Sequence, residues 1–170
     1  MVHLKVTLSC DGFSYREGNH IHIKALAYSC EELQLSGELH FDTTYLEHHS
    51  EAAKAVYRVQ ETLHGYNPFE WDGRPQETVG ICLRDLRQAV SHFATIGRGR
   101  RPVAFFCKRR QKLETLQRHL GETIVNLEAL DCPRFDQLSG NRTETTIAKA
   151  EEYGKWLAAK LDNGQRLPGH

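Results

Sequence analysis

The chain has 170 residues, 39% of them hydrophobic and 26% charged, with a formal net charge of zero. That length suits one domain of about 100–200 residues, which buries roughly 70% of its unfolded surface and folds without a disulfide or metal staple. The composition excludes a wholly disordered chain, no apolar run reaches the roughly 18–20 residues of a membrane span, and the charge balance confines any nucleic-acid partner to a local patch.

The opening residues alternate. Val2, Leu4, Val6 and Leu8 fall on one side and His3, Lys5 and Thr7 on the other, which is the period of a half-buried strand. Turn signals at Asp11-Gly12 and Glu17-Gly18-Asn19 lead into a second alternating run, His20 to Tyr28. There Ile21, Ile23, Ala25 and Ala27 oppose His20, His22, Lys24 and Leu26. After the polar break Glu31-Glu32, the residues Leu33, Leu35, Gly37, Leu39 and Phe41 form a third set. Short connections predict an antiparallel meander.

The period then changes. Ser50 is placed to cap a helix through Ala52, Ala53, Val56, Val59 and Leu63, stopped by Gly65 and Pro68. Residues 66–76, rich in Pro, Gly and aromatics, predict an ordered loop. Leu83, Leu86, Val90 and Phe93 have helical spacing that ends at Gly97-Arg98-Gly99. Pro102 to Cys107 is a continuous apolar run, as in a strand covered on both faces. Leu113, Leu116 and Leu120 predict a helix closed by Gly121, and Thr123 to Leu127 another buried strand. Beyond the break at Cys132-Pro133, the residues Ile147, Ala150, Tyr153, Leu157 and Leu161 give an amphipathic helix. Residues 163–170 read as a flexible tail. The expectation is one domain over residues 1–162, with strands near 2–9, 20–29, 33–41, 102–107 and 123–127 in a mixed five-stranded α/β sheet flanked by helices.

Five phrases sharpen this expectation: Ser9-Cys10-Asp11-Gly12-Phe13, the run His20 to Ala27, Leu63-His64-Gly65-Tyr66, the run Pro102 to Lys108, and the run Val125 to Pro133. In that order they resemble the DEDD superfamily of 3′–5′ exonucleases, which have the ribonuclease H-like fold. The likeness is to divergent members from animals and mobile elements and to the Maelstrom domain of the piRNA pathway, and it spans residues 2–161. The resemblance implies a site of four carboxylates clamping two divalent cations about 3.5–4 Å apart. In active relatives the first strand presents an Asp and a Glu two positions apart, on one face. Here those positions are Ser9 and Asp11. Where the next Asp belongs, after the strand of Val103 and Ala104, the chain has Lys108, Arg109, Arg110 and Lys112. Where an acid/base His or Tyr and a last Asp belong, it has Thr145, Thr146, Lys149, Glu151 and Glu152, while Tyr153 belongs to the apolar stripe.

Ser9, Asp11 and Arg110 therefore read as degenerate positions, with no catalytic residue and no resident cofactor expected. Cations at such a place repel Mg²⁺ and favour phosphate. The alternative is an active Mg²⁺- or Mn²⁺-dependent nuclease with a carboxylate set drawn from Asp11, Glu128, Asp131 and Asp136. The Cys/His zinc cluster of some relatives is not expected, since no cysteine follows Cys132.

Arg98, Arg100, Arg101, Lys108, Arg109, Arg110, Lys112 and Arg118 form a basic stretch in which Glu114 is the acidic member. It reads as a phosphate-contacting patch or, more plainly, as a solvated helix face and a charged loop. A strand of about five residues spans roughly 17 Å, which separates the groups before and after the apolar run. Ligands in open α/β sheets sit beyond the C-terminal strand ends, where a helix N-terminus also favours anions. Lys108, Arg109, Arg110 and Lys112 are thus the primary nucleic-acid contacts expected, and Arg98, Arg100 and Arg101 the secondary ones.

Other features weigh less. Of ten histidines, His20 and His22 share a strand face and His48-His49 are adjacent, with no third metal ligand recognisable. His64 reads as a structural turn residue. Trp71, Tyr66 and Phe69 offer a stacking surface for a base, or an anchor for a long loop. The five cysteines, Cys10, Cys30, Cys82, Cys107 and Cys132, contain no CxxC and read as reduced thiols. No G-x-S-x-G occurs, and Ser9 has no neighbouring base. The first residues lack a basic segment followed by an apolar one, so the expected location is the cytoplasm or nucleus, without a membrane. The reading is an inactive exonuclease-like module that binds RNA or single-stranded nucleic acid, in small-RNA or genome-defence work. The alternatives are the active nuclease and a pure protein–protein adaptor, and fold does not choose among them.

Overall fold

Five strands form one sheet in the computed structural model, which describes residues 3–14, 21–41, 55, 75–94 and 101–162. They are β1 (Leu4–Ser14), β2 (Ile21–Cys30), β3 (Leu35–His40), β4 (Val103–Cys107) and β5 (Val125–Asn126), ordered β3-β2-β1-β4-β5. β2 runs antiparallel to β1 and β3, whereas β4 is parallel to both β1 and β5. The helices are α1 (Val79–Ala94), α2 (Arg110–Leu120), α3 (Phe135–Ser139) and α4 (Thr146–Asp162). The mixed α/β sheet with a meander followed by parallel strands is thus the one expected. None of the described helices is long and apolar enough to cross a membrane.

The apolar side of the alternation in β1 is in place. Leu4, Val6, Leu8 and Cys10 are fully buried with Leu83 and Val90 of α1 and Leu113, Leu116 and Leu120 of α2. β4 explains its unbroken apolar run by serving two cores: Phe105 joins that cluster, while Phe106 joins Leu127, Leu130, Phe135, Tyr153 and Leu157 on the other face.

The polar side of β1 departs from expectation. Thr7, read with His3 and Lys5 as the polar side, is buried, and so are Ser9 and Asp11 beyond it, because α4 lies over them. Their partners across the ladder are Ser29, Ala27 and Ala25, so this face of the sheet is small and polar. Gly154 lets the helix settle there: a Cβ on it would lie 3.3 Å from Ser29 Oγ and 3.6 Å from Thr7 Oγ1.

Two strands are shorter than read. Residues Glu31–Leu33 form a 3₁₀ turn closed by Gln34 at φ 54°, which delays β3 to Leu35. β5 stops at Asn126, whose side chain accepts the Glu128 N–H at 2.9 Å and starts a second 3₁₀ turn, Leu127–Leu130. The burial of Ile124 and Leu127 therefore belongs to a strand end and a turn, which continuous hydrophobicity does not distinguish from a strand. The helix read over residues 50–63 falls outside the described residues except for Ala55, which is helical. Gly97-Arg98-Gly99 and the tail 163–170 also lie outside them.

Candidate functional site

Between Asp11 and Gly12 the register of β1 against β2 shifts by a bulge. Glycine is required there, since a Cβ would stand 1.9 Å from the His22 carbonyl oxygen. The bulge ends the regular part of β1 at Asp11, beside the first turns of α2 and α4. Lys112 comes from the first of these turns, Thr146 and Lys149 from the second. Thr145 caps α4, its Oγ1 accepting the Ala148 N–H at 3.2 Å and its carbonyl the Lys149 N–H at 3.0 Å.

All three side chains converge on Asp11, which is 3% exposed. Oδ1 accepts from Lys112 Nζ at 2.9 Å and from Lys149 Nζ at 2.7 Å, and Oδ2 accepts from Thr146 Oγ1. Burial alone pushes this carboxyl up, but the two ammoniums and the hydroxyl overcome it and hold Asp11 well below the usual carboxylate range. Lys149 is pushed down by burial and by Lys112 beside it, against the pull of Asp11. Asp11 therefore stays ionised near neutral pH and is no general acid.

The neighbouring thiols are no better placed for chemistry. Burial pushes Cys10 and Cys132 up to about 11, and Cys107 higher still. All five cysteines are free, and a thiol raised this far carries almost no thiolate.

The basic stretch is divided. Lys112 is spent on Asp11. Lys108 donates to the Pro133 carbonyl oxygen at 2.6 Å and lies 5.3 Å from the Tyr153 ring centre. Arg110 is 83% exposed and pairs with Glu114 at 2.8 Å one turn along α2, and Arg109 is exposed beside it with φ 78°. Arg101 lies at the other end of the sheet, where it meets Glu32 at 2.8 Å. Arg98 and Arg100 lie outside the described residues, as do His20, His48, His49, His64, Tyr66, Phe69 and Trp71.

Ser9 is buried in the middle of β1 under α4. The alternative carboxylates do not gather around Asp11. Glu128, Asp131 and Asp136 are exposed, and Asp136 faces Arg134 at 3.4 Å. Glu151 and Glu152 are drawn to Arg142 at 2.6 and 2.9 Å. Among the described residues no three His, Cys, Asp or Glu side chains are placed to share a metal ion. One carboxylate with both oxygens taken by ammonium and hydroxyl donors does not fit a two-cation clamp.

The pairing of Asp11 with Lys149 was not read from the sequence, although a signal for it exists. Thr146, Lys149, Ala150 and Tyr153 share one helical face, and a lysine on the buried face of a helix requires a buried anion. Comparison with known proteins finds no family model and no curated protein that match this chain.

Proposed function

We propose that the chain is a ribonuclease H-like domain of the DEDD exonuclease and Maelstrom kind that has given up metal-dependent hydrolysis and binds RNA or single-stranded nucleic acid. The mixed five-stranded sheet, an antiparallel meander followed by parallel strands, supports the reading. The observation that carries it is the pair of ammoniums on Asp11. They stand at the strand end where hydrolysis would need divalent cations, and each repels such an ion while attracting phosphate. Beside them, at the N-terminus of α2, Arg109 and Arg110 are exposed to solvent, where a phosphate backbone would meet Arg109 directly and compete with Glu114 for Arg110.

Salt-dependent binding of a single-stranded RNA tests this. Neutralising Arg109 and Arg110 together is expected to weaken binding and to flatten its salt dependence by about one to two phosphate equivalents. Unchanged affinity and slope would instead favour the protein-adaptor reading. Robust Mg²⁺-dependent degradation abolished by Asp11→Ala would overturn the loss of hydrolysis.

A further inference from the structure

We draw no further inference here: the strongest candidate, the partly buried apolar strip of Ala104, Val125, Leu138, Trp156 and Leu161 beside the two-residue strand β5, carries none, because nothing in the structure shows what covers it.

Discussion

At the N-terminal end of β1 one carboxylate, Glu32, is met by Lys5 at 3.0 Å and Arg101 at 2.8 Å. At its C-terminal end one carboxylate, Asp11, is met by Lys112 at 2.9 Å and Lys149 at 2.7 Å. Each group sets two cations on one carboxylate, and their surroundings differ. The Glu32 side chain is 23% exposed and that of Asp11 3%. Burial pushes both carboxyls up and cations pull both down. Around Glu32, water and salt screen the surplus charge, and the network holds a turn beside the sheet edge. Around Asp11 the same three charges are shut away from water and tie β1 to α2 and α4.

That comparison predicts a large difference on removing each carboxylate. Asp11→Leu strands two poorly solvated ammoniums and is expected to cost about 3–5 kcal/mol. Glu32→Leu breaks a partly exposed network and is expected to cost about 1 kcal/mol or less. Urea denaturation of both variants measures this, and equal losses would erase the distinction. Replacing the whole buried group (Asp11→Leu with Lys112→Met and Lys149→Met) sharpens it. Since a buried ion group often loses little to apolar residues of similar volume, this triple variant should be more stable than Asp11→Leu alone.

The pH dependence follows with a sign for each group. Asp11 is held below its unfolded value of about 3.9, so its contribution is complete above that pH and is lost as the pH falls toward the folded value. Lys149 is also held below its unfolded value, so between the two values the unfolded chain binds the extra proton and stability rises with pH. In the wild-type chain, acid denaturation should therefore steepen below about pH 4. In Asp11→Asn that additional steepness should be absent. Identical acid limbs in the two proteins would show that Asp11 does not govern this range.

Sequence alone revealed one side of β1 and misjudged the other. Leu4, Val6, Leu8 and Cys10 declared a core face by their period, and Phe105 and Phe106 declared a doubly covered strand by their lack of one. Thr7 read as part of the polar side with His3 and Lys5, because alternation records polarity, not exposure, yet it is buried, as are Ser9 and Asp11 beyond it. Whether a polar face is solvated or satisfied depends on what lies over it, and its partners come from more than a hundred residues away, as Lys149 does for Asp11. For the same reason the group after the apolar run looked like one patch: Lys108, Arg110 and Lys112 are sequence neighbours, but a carbonyl, a glutamate and a buried aspartate divide them.

Between the two charged ends, α4 packs against β1 and β2 at Gly154, and the smallest effect is expected there. Gly154→Ala gains about 0.8–1 kcal/mol of helix propensity, but its Cβ would sit 3.3 Å from Ser29 Oγ, tighter than ordinary contact. Neither helix nor sheet yields freely, because Asp11 ties α4 to β1 through Lys149 and Thr146. The two effects should nearly cancel, leaving the single variant within about 1 kcal/mol of the wild-type chain. Removing the opposing oxygen breaks the cancellation. With Ser29→Ala as background, the nearest remaining atoms stand at 3.6 Å, ordinary contact distance. Gly154→Ala should then be stabilising relative to that background, in a double-mutant cycle measured by urea denaturation. An alanine that destabilises both backgrounds equally would mean that the backbone of α4, rather than the Ser29 hydroxyl, sets how near the helix can come.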